Sequence, residues 1–387
     1  MHIPADLAAL SAHQGPFGTV YLDTTRTSES GAKEVELRWR ALREHLESAG
    51  ADEATLAALD DAAGTHLEVA GARGQLLVAA DGTVLLDRVL ARAPLRPLAR
   101  WSPLPHLMPF FAQAAPQVPH VLVVADRTGA DVLTVGADAA TAATLGEQQT
   151  VVGSEQYPIH KVGRDQWDER HFQNRVDNSW AANAADVTAE VRRHVDAIGA
   201  RMVVVAGDER ARALLGQDLP AALPPSVAVE QVEAGGRAAG SSSEALDDAV
   251  HGVVLRFVWR ERRQVLERLR QGVGRHDYGV LGLAPVLEAL RKAQVDTLVL
   301  SDDPSSTLNA AIGQGPLQLA ATDEELADMG VSDPEHDRLD AALVRALAGS
   351  SAQILVTPDA HAYLDDGIGA VLRYADRRDD DGVPSTG

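Results

Sequence analysis

The run Met202–Ala206, in RMVVVAGD (201–208), contains no polar residue, and ERARALL follows it at once. An unbroken apolar run of that length marks a buried strand, and the segment after it opens a helix. SVAVEQV (226–232) is a further strand. Strands alternating with helical segments specify an α/β architecture, and the rest of the chain has to be placed around that alternation.

Upstream, FGTVYLD (17–23) alternates as a strand, and Val35, Leu37, Trp39, Leu42 and Leu46 give residues 32–49 helical spacing. GQLLVAADGTVLLDRVL (74–90) is two strand-like runs around Asp81-Gly82, a hairpin signal. Pro94, Pro97, Pro103, Pro105 and Pro109 then rule out long regular structure, and that passage is expected to link into a second domain. Residues 119–136 are two strands with a turn at Thr128-Gly129. Residues 167–199 are helical, with Phe172, Val176 and Trp180 on one stripe. AGGRAAGSSS (234–243) is a flexible loop. A long helix over 243–272 carries the chain into a third unit, where helix 283–293, strand 295–303, helix 337–350 and strand 352–359 repeat the alternation. GIGAVLRYA closes that unit, and the acidic tail RRDDDGVPSTG (377–387) is expected to be disordered.

At ~100–200 residues per domain, 387 residues make two or three domains. The net charge of -21 repels nucleic acid at long range, so an RNA partner has to meet a local basic patch. The absence of cysteine excludes disulfides, thiolate nucleophiles and cysteine–zinc sites. MHIPADLAAL lacks the basic and apolar blocks of a signal peptide, and no apolar stretch approaches the ~20 residues that span a bilayer. A cytoplasmic protein with no membrane or DNA partner is expected. No P-loop, H-E-x-x-H or G-x-S-x-G pattern occurs, GVGRHDYGVLG has the wrong spacing for a dinucleotide, and the 13 histidines are scattered. Hence no metal and no cofactor is expected.

Against this acidic background stands HKVGRDQWDERHFQNRV (160–176). It holds Lys161, one of three lysines, with His160, His171, Arg164, Arg170, Arg175 and an isolated Trp167. His160, Lys161, Arg164, Arg170 and Arg175 are phosphate-facing candidates, and Trp167 is a surface on which a base could stack. Asp168 and Glu169 open the following helix, where acids complement the dipole. Arg26, in the loop TTRTSESG (24–31), is a second RNA candidate, although Ser30 there could simply cap a helix. Arg256, Arg260, Arg262, Arg263, Arg268 and Arg270 make the 253–272 helix arginine-rich, with Glu261 and Glu267 offsetting part of the charge as on a salt-bridged exposed helix.

Three features in order carry a family resemblance: the basic loop running into WDERHFQNRV, RMVVVAGDERARALL after it, and the ending DDGIGAVLRYAD preceded by VDTLVLSDD. Over roughly residues 118–375 the chain resembles the archaeo-eukaryotic release factors and Pelota, through bacterial relatives that include Balon-type ribosome hibernation factors and Vms/Ankzf-like peptidyl-tRNA hydrolases. Trp167, Arg170, Phe172, Gln173 and Arg175 fall on the bacterial loop pattern, and Asp366–Tyr374 on the family's last segment. The resemblance implies an α/β protein of three domains. These are an N-terminal domain (1–117), a release-factor-like middle domain with an altered glycine-glycine-glutamine loop (118–250), and an L7Ae-like C-terminal domain with the acidic tail (251–387).

In that alignment the family's two glycines become Asp165 and Gln166, and its glutamine becomes Glu169. Glycines admit backbone conformations closed to other residues. A glutamine amide both donates and accepts, whereas an ionised glutamate only accepts. A second register, Gly163-Arg164-Asp165-Gln166, keeps one glycine and puts Gln166 in the glutamine's part. The expected function is therefore occupancy of the ribosomal A site without peptide release, in hibernation or protection. The partners implied are the 70S ribosome, through rRNA of the A site, the decoding centre and the peptidyl-transferase centre, and elongation factor Tu. One alternative is a peptidyl-tRNA hydrolase or rescue factor using Gln166 or Glu169 for ester hydrolysis. Another is an acidic adaptor that binds a protein.

Overall fold

The computed structural model describes residues 3–26, 31–65, 73–90, 92–113, 118–126, 129–135, 145–152, 168–234, 243–301, 308–357 and 364–374, with side chains of 145–152, 168–182 and 243 outside the description. The chain forms two compact units, Met1–Ala115 with Arg262–Gly387, and Pro116–Glu261.

The first unit begins with α1 (Ala5–Ala9), β1 (Phe17–Asp23), α2 (Gly31–Ser48), α3 (Glu53–Ala62), β2 (Gly74–Ala80), β3 (Thr83–Leu90), β4 (Leu98–Ser102) and α4 (Met108–Gln113). The strands form a sheet in the order β3-β2-β1-β4, antiparallel throughout. Val20, Leu22, Leu77, Ala79 and Ala99 on one face meet Val35, Trp39, Leu42, Leu46, Leu56 and Leu59 from α2 and α3. The expected hairpin turns at Asp81 (φ 49°) and Gly82 (φ 70°), the two positive φ values that a tight two-residue connection requires. The proline-rich passage departs from expectation. The residues between Pro97 and Pro103 form β4, which pairs with β1 from Phe17↔Ser102 to Tyr21↔Leu98. Prolines bracket this strand and none falls inside it, so every ladder donor survives.

In the second unit, β5 (His120–Asp126), β6 (Gly129–Val135) and β7 (Leu145–Val152) form a meander. α5 (Asp168–Ile198) follows, then β8 (Met202–Gly207), α6 (Glu209–Ala222), β9 (Ala228–Gln231) and the first part of α7 (Ser243–Arg275). The sheet runs β7-β6-β5-β8-β9, with β5–β8 and β8–β9 parallel. Its central strands are covered on both faces. Val121, Val123, Val203 and Val205 pack on Val187, Val191 and Val195 of α5 and Leu215 and Leu219 of α6. Leu122, Val124, Met202 and Val204 pack on Val253, Phe257 and Val258 of α7. That double cover is why Met202–Ala206 is apolar at every position.

Returning to the first unit, the remaining elements are β10 (Gly279–Leu281), α8 (Leu283–Arg291), β11 (Val295–Leu300), β12 (Asn309–Ile312), β13 (Leu319–Ala320), α9 (Asp323–Asp328), β14 (Glu335–Arg338), α10 (Leu339–Ser350), β15 (Gln353–Val356) and β16 (Ile368–Leu372). They make a sheet β10-β16-β11-β15 and a small sheet β13-β12-β14 that sequence periodicity does not reveal. Asp337, fully buried, ties β14 to the N-terminal sheet. Its carboxylate takes an ion pair from Arg100, next to Ala99 on β4, and a 2.8 Å hydrogen bond from the Leu104 backbone N–H.

Candidate nucleic-acid interface

The loop singled out by sequence is the connection from β7 to α5. β7 ends at Val152, directly opposite Gly129 at the start of β6. The chain thus leaves the sheet at the end where β5 turns into β6 and returns at Asp168 in a helix of 31 residues. At 1.5 Å per residue that helix is about 46 Å long, whereas a seven-residue strand such as β5 spans about 23 Å. α5 therefore outruns the sheet it packs on. The residues that seat it, Ala184, Val187, Val191 and Val195, all lie in its second half. Its first turn lies about 22 Å along the axis from Asn183.

The end of the sheet from which the loop departs is rigidly built. The Gly129 N–H donates to Asp126 Oδ1 at 3.1 Å, closing the turn. Gly207, at φ 102°, ends β8 so close to β5 that a Cβ there would stand 2.1 Å from the Ala125 carbonyl oxygen. The next N–H, of Asp208, donates to that same oxygen at 2.9 Å. The Asp208 carboxylate then caps α6, accepting from Arg210 N at 3.1 Å and Ala211 N at 3.2 Å. Between α5, α6 and this turn lies an open cleft of about 310 Å³, lined by Asp126, Gly129, Asn183, Val187, Ala211 and Leu214 among others. Sequence reading missed the Gly207–Asp208 lock. An aspartate directly before ERARALL was the available signal for it.

Of the sequence candidates, His160, Lys161, Gly163, Arg164, Asp165, Gln166 and Trp167 lie outside the described residues, as does the 235–242 part of the flexible loop. Glu169, Arg170 and Arg175 fall in the first turns of α5, with Phe172, Val176 and Trp180 further along; their side chains are outside the description.

Arg26 lies at the exit of β1 in the other unit. It is half-buried, and its stem packs on the first residue of α2, where a Cβ on Gly31 would come within 3.0 Å of Arg26 Cβ and Cγ. Arg38 holds the start of the same loop, its Nη1 donating to Asp23 O at 3.1 Å and Thr25 O at 3.3 Å. In the arginine-rich helix, Arg260 pairs with Glu230 at 2.9 Å and Arg268 with Asp296 at 3.2 Å, so part of that helix is salt-bridged as expected. Among the described residues no group of three or more His, Cys, Asp or Glu converges to hold a metal ion, and no helix is long and apolar enough to cross a membrane.

A family model for bacterial archaeo-eukaryotic release factor family 2 matches residues 119–275, from the residue before β5 to the last residue of α7, and so takes in the whole loop-bearing unit. The Mycobacterium tuberculosis protein Rv2629 is 30% identical over 370 residues, covering 95% of each chain. The chain belongs to the bacterial archaeo-eukaryotic release factor-like family. Solved structures to which this release factor-like protein is similar include the archaeal translation termination factor aRF1, at 14% identity over 95% of this chain and 96% of that one with a TM-score of 0.23. Pelota of Archaeoglobus fulgidus is 13% identical over 78% and 80% of the two chains, with a TM-score of 0.30. Membership rests on the sequence matches.

Proposed function

We propose that this release factor-like protein is a ribosome-binding factor that occupies the A site of the 70S ribosome without releasing peptide, as a hibernation or protection factor. In this reading the N-terminal domain faces the decoding centre, and the loop between β7 and α5 faces the peptidyl-transferase centre. Delivery or co-binding with elongation factor Tu belongs to the same proposal.

The observation that carries it is the chemistry of the loop. Where the resemblance puts two glycines and a glutamine, this chain has Asp165, Gln166 and Glu169. Both glycines are replaced by residues that resist left-handed backbone conformations. A carboxylate at the third position offers no donor and is repelled by surrounding phosphates. What remains suits binding: His160, Lys161, Arg164, Arg170 and Arg175 for phosphates, and Trp167 for a base. Family membership supports a place in translation, and the seating of α5 by its second half supports a loop held well clear of the sheet.

The Gly163-to-Gln166 register favours a second reading, peptidyl-tRNA hydrolysis with Gln166 as the positioning amide. One experiment separates the two: co-sedimentation with 70S ribosomes at several salt concentrations, paired with a peptidyl-tRNA release assay. Salt-sensitive binding without release is the expected result. Release that disappears in Gln166→Ala would establish the hydrolase, and absence of binding at every salt concentration would overturn both in favour of a protein-binding adaptor.

A further inference from the structure

Residues 253–275 of α7 carry seven arginines (256, 260, 262, 263, 268, 270 and 275) against Glu261 and Glu267, a net +5 within a chain of net charge -21. The helix dipole accounts for cations only in the last turn, and Arg256–Arg263 lie several turns before the end of α7 at Arg275. Ion pairing accounts for others: Arg260 is held by Glu230 and Arg268 by Asp296. Arg256 and Arg263 are both exposed, and among the described residues neither pairs with a carboxylate.

These two arginines flank an exposed tryptophan. Arg256 precedes Trp259 by three residues and Arg263 follows it by four, so all three are neighbours on one face of the helix. Trp259 is 58% exposed, while Phe257 and Val258 of the same helix are buried in the core of the second unit. By contrast Trp39 is buried and donates to Asp60 at 2.9 Å. The one large apolar neighbour that Trp259 has on this exposed face is Leu255, 41% exposed. One leucine and one indole are too little for the continuous apolar centre of a protein interface. A planar ring between two guanidinium groups is what a looped nucleic acid uses: arginines take the phosphates and an unstacked base lies on the indole.

We infer that the outward face of α7 is a nucleic-acid contact, separate from the β7–α5 loop, that takes a single-stranded or looped RNA segment through Arg256 and Arg263 with a base stacked on Trp259. This goes beyond the A-site reading and does not depend on it.

The test uses the full-length protein carrying Arg164→Ala and Trp167→Ala, which weaken the contribution of the middle loop. Anisotropy of a labelled single-stranded oligouridylate and of a duplex of equal length reports binding, with a glutamate-rich peptide as the acidic-protein probe. The expected result is binding of the single strand in preference to the duplex. Trp259→Ala should weaken it roughly ten-fold, the worth of one stacked base. Arg256→Glu with Arg263→Glu should weaken it further and flatten its salt dependence, while circular dichroism melting stays unchanged. Equal affinity of the Trp259→Ala protein, preference for the acidic peptide, or no RNA binding would each overturn the inference. Ribosome co-sedimentation is scored separately, so the A-site proposal can fail while this contact stands, and the reverse.

Discussion

His106 offers a quantitative test of the buried linkage between the N-terminal sheet and the β14–α10 segment. The residue is 7% exposed, and its Nδ1 stands 3.7 Å from Asp340 Oδ1. Burial pushes the imidazole down to about 4; Asp340 works against this, and Arg338 and Arg100 reinforce it. In the unfolded chain the group titrates near ~6.5. The folded protein therefore binds fewer protons than the unfolded one between these values. The contribution of neutral His106 is full above about pH 6.5 and is lost as pH falls toward 4. Between pH 7.5 and pH 5 the two pKa values give a loss of about 2 kcal/mol from this one group. The perturbation is His106→Gln, which keeps much of the volume and cannot titrate. Urea unfolding at both pH values, followed by tryptophan fluorescence and circular dichroism, is the assay. The drop in unfolding free energy between pH 7.5 and pH 5 should be about 2 kcal/mol smaller in the variant than in the parent. Asp337, whose carboxyl burial pushes up against the pull of Arg100, has the opposite sign, stabilising less as pH rises, but it is common to both proteins and cancels. An unchanged pH difference in the variant would refute the assignment of a buried neutral histidine.

Two further tests probe the scaffold that anchors the loop. Gly207→Ala forces a methyl to 2.1 Å from the Ala125 oxygen at a φ of 102°, and should destabilise the protein by about 3 kcal/mol or more in denaturant titration; a loss below about 1 kcal/mol would show that β5 and β8 are less tightly joined. Asp208→Ala removes the acceptor for two N–H groups at the start of α6 and should cost about 1 kcal/mol, whereas Asp208→Asn should restore most of it; a melting temperature that distinguishes neither from the parent would exclude the cap.

Legibility differed from element to element for physical reasons. Residues 17–23 and 74–90 were read to within their observed bounds, because alternation and an Asp-Gly turn are local signals. The long helix after the loop was likewise visible, and the observed α5 starts at Asp168. β7, LGEQQTVV, went unread because its sequence is polar at four of its first six positions, and what makes it a strand is pairing with β6. β4 went unread because prolines on either side masked a five-residue segment whose place is set by β1. The small sheet of β12, β13 and β14 is built from strands of four, two and four residues, too short to show a period. The candidate loop was found by charge contrast and resemblance, whereas its foundation at Gly207 and Asp208 was not.

By itself the sequence determined the α/β alternation, the doubly covered character of Met202–Ala206, and the chemistry of residues 160–176, with Asp165, Gln166 and Glu169 in place of two glycines and a glutamine. These follow from residue type and short-range period. Tertiary structure alone decided that 1–115 folds with 262–387, through contacts such as Arg100–Asp337 that join residues 237 positions apart. It also decided that the loop springs from the end of β7 beside Gly129, and that Arg256, Trp259 and Arg263 remain exposed while Phe257 and Val258 are covered. Such facts depend on which distant segments exclude water from one another, and no local pattern of residues encodes that.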